Sequence, residues 1–184
     1  MAKREADPQP SARPTPWLVG PTPTATLPRP ELEERILNLL SSQNMCVVAT
    51  ASEDGPLATP VRYVPLDFTV VFTCREGTPK LRNLAADPRA SVGIFAPLVS
   101  EASSRGAQLF GTAQVLRPGD DRFHELMGIY RWQSDAAERG RSVTDPPSGP
   151  LVAIDAERIV YTEHWLRRSG FAPRQHWRAD RGAP

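Results

Sequence analysis

Several things are scarce in this 184-residue sequence, and each shortage removes a class of protein. No apolar run approaches the roughly 20 residues of a membrane span, so no transmembrane helix and no membrane partner are expected. Lys and Arg total 22 against 21 Asp and Glu, a net charge of +1. No global field therefore recruits nucleic acid or an anionic surface, and any anion site must be local. Basic residues are not interleaved with aromatics along the strands, which argues against single-stranded nucleic acid as a partner. The two cysteines, Cys46 and Cys74, lie far apart in strand-like runs. They lack the close pairing of a zinc site, and two reduced thiols in the core of a cytoplasmic protein are expected. Residues 12–26 are interrupted repeatedly by proline and cannot form the apolar core of a signal peptide, which also points to the cytoplasm. Neither a Ser-His-Asp nor a Cys-His arrangement occurs in recognisable context, and there are no paired carboxylates, so hydrolysis is not expected.

What is present fits one globular domain: 40% apolar and 23% charged residues, in a chain long enough for a sizeable core. Residues 1–29 are rich in Pro, Thr and Ala, and read as a flexible, mostly extended arm. Only Trp17, Leu18, Val19 and Leu27 could anchor it, either not at all or onto a partner subunit. A helix opens at Pro30-Glu31, with Leu32, Ile36, Leu39 and Leu40 as its apolar stripe. Strands follow at 45–51, 57–66 and 69–74, the first two joined by the turn Ser52-Glu53-Asp54-Gly55-Pro56. Pro60 and Pro65 imply bulges or an edge position in the second strand. A short helix runs from Pro79 to about Ala86 and Asp87-Pro88 ends it. Further strands are expected at 90–95, 109–116 (with Gly111 at a bulge or close backbone approach) and 151–162. A polar loop over 96–106 separates the first two of these, and a helix from Asp120 or Asp121 to about Trp132 precedes the last. Short antiparallel strands with helices between them make a mainly β protein, a small barrel with helical insertions.

The most informative stretch runs from Phe72 to Leu84. A strand ends at Phe72-Thr73-Cys74, a polar turn follows, and a helix begins at Thr78-Pro79-Lys80. A helix N-terminus offers unpaired N–H groups and the positive end of a dipole, which suit a phosphate. Lys80 adds a full charge, Thr73 and Thr78 add hydroxyls, and Arg62 on the preceding strand can reach the same place. Taken singly, Thr78-Pro79 is an ordinary helix start and Arg62 and Lys80 are surface charges; their joint placement makes them a candidate site.

The order helix, hairpin, strand, Thr78-Pro79-Lys80 turn-helix, Arg82-Asn83-Leu84-Ala85-Ala86-Asp87-Pro88-Arg89, strand, then Gly111-Thr112-Ala113, resembles the pyridoxamine 5′-phosphate oxidase-like superfamily of FMN-binding split barrels. It is similar also to the related deazaflavin-dependent reductases of actinobacteria. The resemblance covers residues 32–116 best. It implies a split barrel spanning 30–166, a C-terminal tail over 167–184 that reaches a partner subunit, and a homodimer with FMN, or the deazaflavin coenzyme F-420, at the subunit interface. It further implies that Arg62 contacts the cofactor phosphate, that Phe72 and Thr73 lie beside the ribityl chain, and that Thr78, Pro79 and Lys80 stand for a Ser-Arg-Lys phosphate grip with its central charge missing. The implied activity is an oxidoreductase acting on a small molecule by hydride transfer at the ring. Arg174-Gln175-His176-Trp177-Arg178 has the spacing of the family's Arg-x-His-x-Arg motif, while the family's Tyr-Arg-Ser substrate set has no counterpart in 123–134. A non-catalytic flavin or heme carrier on the same fold is the rival reading, with His124, His164 and His176 as the histidines available for heme.

Overall fold

The computed structural model describes residues 16–130, 132–144 and 149–180. A single helical turn, α1 (Pro16–Val19), precedes α2 (Arg29–Ser42). Pro30 sits in the first turn of α2, where a missing N–H costs nothing, and Glu31 meets the positive end of the dipole. Leu32, Ile36, Leu39 and Leu40 form the anticipated stripe and are all buried. The hairpin β1 (Met45–Ser52) and β2 (Gly55–Arg62) turns through Glu53-Asp54, with Gly55 at a φ of 111° that disfavours any side chain. Then come β3 (Val64–Leu66), β4 (Thr69–Thr73), α3 (Pro79–Ala86), β5 (Arg89–Phe95) and β6 (Arg105–Leu116). Two short helices, α4 (Asp121–Ile129) and α5 (Trp132–Glu138), lead to β7 (Leu151–Glu163) and β8 (Arg174–Arg178).

The strands pair antiparallel in the order β2-β1-β5-β6-β7-β4-β3. Its two ends, β2 and β3, are separated only by Tyr63, so the sheet closes on itself. The expected single strand 57–66 is thus two strands meeting at a corner. Tyr63 is buried there, donating from its amide to the Asn44 carbonyl (3.0 Å) and from its hydroxyl to the Leu40 carbonyl (2.7 Å). Strand β7 is long enough to serve two neighbours: Leu151–Asp155 pair with β4, and Arg158–Thr162 with β8. That division splits the barrel.

Side chains alternate across these strands as the pleat requires. Val48, Val70, Phe72, Val92, Ile94, Leu109 and Ile154 fill the barrel interior, joined by the α2 stripe and by Leu81 and Leu84 of α3. A second core lies outside the barrel wall, where Phe123, Leu126, Met127, Tyr130 and Trp132 pack on Val71, Leu116 and Leu151. Burying each such side chain contributes about 1.5–3 kcal/mol as an upper figure. Among the described residues, the outward positions of β1, β2 and β5 are exposed or half-buried and belong to neither core.

Gly111 marks a break in register, as anticipated. Phe110 pairs with Arg158 but Gly111 pairs with Ala156, leaving Glu157 as the extra residue of a β-bulge. A Cβ at Gly111 would lie 1.9 Å from the Asp155 carbonyl oxygen.

Several boundaries differ from expectation. Strand β6 begins at Arg105, and the preceding loop carries a 3₁₀ turn, Glu101–Ser103. The helix expected to reach Trp132 breaks at Tyr130 and restarts. The arm is extended but tied to its own chain: Trp17 packs on Trp165 (ring centroids 5.2 Å), and the Leu27 amide donates to Gln175 Oε1 (3.0 Å). Residues 1–15 of that arm lie outside the described residues. The expected C-terminal tail contains a strand of the sheet itself, β8, whose Trp177 stacks on Phe68 (4.3 Å) and donates to Glu33 (2.7 Å).

Candidate functional site

The strand-turn-helix corner is built by β4, which delivers Thr73 to its end, and by α3, whose Pro79 fixes the φ of the first helical residue. The turn between them is braced by Arg82, which donates to the Gly77 carbonyl (2.5 Å). Thr78 occupies the N-cap position but makes no side-chain cap bond. Its Oγ1 is buried and has no hydrogen-bond partner. An orphaned buried polar group of this kind costs about 1–3 kcal/mol. Pro79 has no N–H, and the amides of Leu81 and Arg82 both donate to the Thr78 carbonyl (3.1 and 3.2 Å). The half-buried Lys80 is close enough to Cys74 to act on its thiol. Burial raises the Cys74 pKa, the Lys80 ammonium draws it down, and Glu76 raises it again, for a net upward shift. This end of α3 therefore combines a cation, a helix N-terminus and an unused hydroxyl.

The remaining candidates fall around it unequally. Thr73 is half-buried, and its hydroxyl already shares a hydrogen bond with Tyr130 (3.2 Å). Phe72 is wholly enclosed in the barrel core, which leaves only its backbone to any ligand at the corner. Arg62 is exposed at the end of β2. It pairs with Met45 of β1, whereas the β3–β4 ladder that leads toward Thr73 begins at Val64, beyond the Tyr63 corner. Arg82 and Arg89 are exposed, as surface charges should be; Arg89 grips Asp87 (2.7 Å) and holds that carboxyl at about 2.

A groove lies elsewhere, on the bare outer face. Its volume is about 920 Å³, and its floor includes Ala49, Ser91 and Phe110, with Arg158 and Arg178 at its wall. None of the candidate cofactor residues lines it; α3 reaches it only through Asp87 just past its end. Strand β8 contributes by its pleat: Gln175 and Trp177 turn inward, while Arg174, His176 and Arg178 share the exposed side. Residues two apart on a strand face one way, so the Arg-x-His-x-Arg spacing becomes one surface. His124 is exposed on α4, and His164 begins a 3₁₀ turn beside the half-exposed Trp165. The sequence reading missed Arg158 and Phe110. Its one available signal was Gly111, since the bulge opposite that glycine is what brings Arg158 over the Phe110 ring (3.4 Å to its centroid). Among the described residues no cluster of His, Cys, Asp and Glu could hold a metal ion. Nor is any helix among them long and apolar enough to cross a membrane.

Comparison with known proteins agrees with this architecture. The family model described as pyridoxamine 5′-phosphate oxidase matches residues 32–163. Among solved structures, a heme binding protein from Mycobacterium smegmatis is similar with a TM-score of 0.63 and 24% identity, over 83% of this chain and 60% of that one. This chain thus spans less than two thirds of that protein. A putative pyridoxamine 5′-phosphate oxidase from Listeria innocua matches with a TM-score of 0.57 and 22% identity, over 71% of this chain and 97% of that one. An FAD-binding protein from Mesorhizobium loti matches at 0.55 and 18%, over 73% and 92%. At these identities the structural matches speak for the fold, a split barrel.

Proposed function

Because the chain belongs to the pyridoxamine 5′-phosphate oxidase family, we propose that it is a flavin-dependent oxidoreductase that holds FMN by its phosphate at the N-terminus of α3. The observation that carries this is the buried Thr78 hydroxyl, left without a partner at a helix start beside Lys80. A phosphate there would relieve the orphaned hydroxyl, meet the positive end of the helix dipole and pair with the ammonium. Arg62 would approach from the corner of the barrel. Thr73 would border the ribityl chain with the Phe72 backbone, and Pro79 would shape the turn without giving a donor. The bare outer face of β1, β2 and β5 is the surface on which a second copy would enclose the ring, so the working unit is a homodimer in the cytoplasm.

When bound, the ring supplies the redox chemistry by passing a hydride to or from a small-molecule substrate. The chain's own part is to fix the phosphate, orient the ring on the sheet and exclude water. That division of labour accounts for a site with no acid–base pair. The deazaflavin coenzyme F-420 presents a comparable tail, and the missing central charge at Pro79 favours it mildly.

Titrating the purified protein with FMN and with the deazaflavin coenzyme separately, while recording the visible spectrum, tests the reading. One of the two is expected to bind and to be bleached or restored by its redox partner. If neither binds, the site is wrong. A second reading, a heme carrier, is favoured by His176, which stands exposed on β8 opposite Val160 at the bare face. A Soret band in the protein as isolated, lost in His176→Ala, would support that reading.

A further inference from the structure

We propose that Tyr130 is a positioning residue for the phosphate corner: its hydroxyl donates to Thr73 Oγ1, which turns the Thr73 proton out toward a phosphate oxygen of the ligand. The inference rests on the reading that FMN is held at the N-terminus of α3. The two hydroxyls lie 3.2 Å apart, and either could donate. Their chemistry decides the direction. A phenol is more acidic than an aliphatic alcohol and so the better donor, and its oxygen is the poorer acceptor because a lone pair is drawn into the ring. A threonine hydroxyl has one proton and two lone pairs. When it accepts from Tyr130, its own proton points away from the phenol and remains free to donate. Accepting one bond also polarises the hydroxyl and strengthens the bond that it gives.

The surroundings explain why a tyrosine stands there. Tyr130 ends α4, its amide donating to the Leu126 carbonyl (3.0 Å), and its ring is buried in the second core with Leu126 and Trp132. Packing alone would be met by phenylalanine. A tyrosine hydroxyl on a residue only 6% exposed needs a partner, and Thr73 supplies it. Thr73 is half-buried at the last position of β4, paired with Leu151 of β7. The next amide along is taken, because the Cys74 N–H donates to the Pro150 carbonyl (3.0 Å). The Thr73 hydroxyl is therefore the donor that this strand end can turn to a ligand. Tyr130 reaches it from α4, an element that carries none of the candidate phosphate residues. One pair of hydroxyls thus joins the second core to the corner.

A double-substitution cycle on the full chain tests this, with FMN affinity read by titration of the visible spectrum. Thr73→Val removes the donor itself and should weaken FMN binding about tenfold or more, as for a hydrogen bond to a charged group. Tyr130→Phe keeps the ring in the core and should weaken binding about three- to tenfold. In the Thr73→Val background the tyrosine change should weaken it no further, because the group that Tyr130 orients is gone. Thr73→Ser keeps a hydroxyl, and should keep both the binding and its dependence on Tyr130. A tyrosine that only supports the fold would instead weaken FMN by the same factor with and without the Thr73 hydroxyl. Such additivity, or unchanged affinity in Tyr130→Phe, overturns the proposal and leaves FMN at the corner. Failure of the native chain to bind FMN overturns the cofactor reading and this inference together.

Discussion

Replacing Gly111 by alanine puts the barrel's geometry to a direct test. The added Cβ would sit 1.9 Å from the Asp155 carbonyl oxygen, 2.8 Å from its carbon and 3.1 Å from the Ala156 Cα. All three are backbone atoms of β7, so no side chain can swing away. Relief requires β6 and β7 to part by more than an ångström at the bulge, where both strands are also held by their other neighbours. Overpacking of this kind costs about 1–3 kcal/mol and more when the obstacle is rigid, so about 3 kcal/mol is expected. For a chain of this size that lowers the melting temperature by roughly 6–12 °C, read by circular dichroism. Gly93→Ala is the internal control: its nearest contact would be the Val47 carbonyl at 4.0 Å, an ordinary distance. If both variants melt together, strands β6 and β7 do not approach as described and the bulge argument fails.

Three other outcomes follow from the same structure. Lys80→Ala should weaken FMN binding by about 1.5–3 kcal/mol, the scale of a charge-assisted hydrogen bond, with the melting temperature of the apo protein little changed; equal affinity by titration would place the phosphate elsewhere. Asp155 has its carboxyl held below the ordinary 3.8, first by the Arg122 hydrogen bond and then by Thr69, against burial. A depressed acid stabilises the fold above its unfolded pKa and loses that contribution as pH falls through the folded one. Acid unfolding below about pH 4 should therefore be less steep in Asp155→Asn than in the native protein, measured by denaturant melts across pH. Gln175→Leu should destabilise by about 1–3 kcal/mol, because it strands the buried Leu27 amide and removes a donor to the Ala172 carbonyl (2.6 Å); equal stability would mean that the 20–28 segment is not fastened there.

Much of the barrel was legible because its elements obey local rules. The α2 stripe repeats at helical spacing, Gly55 ends a two-residue turn, and Thr78-Pro79 and Asp87-Pro88 bracket α3. Gly111 announced a close approach because only a residue without Cβ fits there. What escaped depends on tertiary contacts. Strand β8 reads as polar because its inward positions are Gln and Trp between charged neighbours. Gln175 is tolerated inside, at 1% exposure, only because its amide oxygen accepts from Leu27 of the N-terminal segment and its NH2 donates to the Ala172 carbonyl. The corner at Tyr63 likewise depends on the Leu40 and Asn44 carbonyls, which nothing in the local sequence announces. Within the candidate site, residue types and spacing marked Thr78 and Lys80. They did not foretell that Phe72 is sealed in the core or that Thr73 is engaged by Tyr130.

The two faces of β8 connect these points. A strand's side chains alternate strictly, so a slip of one residue would turn Arg174, His176 and Arg178 inward and expose Gln175 and Trp177. The inward pair prevents that slip by two independent means: Gln175 bonds to the 20–28 segment, and Trp177 stacks on Phe68 while donating to Glu33 of α2. The Glu33 carboxyl is held below its usual range first by that indole N–H and further by Arg29, which ties the strand to α2 with a charge. The direction in which Arg178 faces Arg158 is thus decided on the far side of the sheet, by residues that touch no groove. Trp177→Leu, which removes both the stack and the donor, should accordingly destabilise the protein by about 2–4 kcal/mol, read by denaturant melts. Trp177→Phe, which keeps the stack and loses only the indole donor, should cost about 1–3 kcal/mol. Equal stability of the leucine variant would show that the register of β8 is held by its backbone pairing with β7 alone.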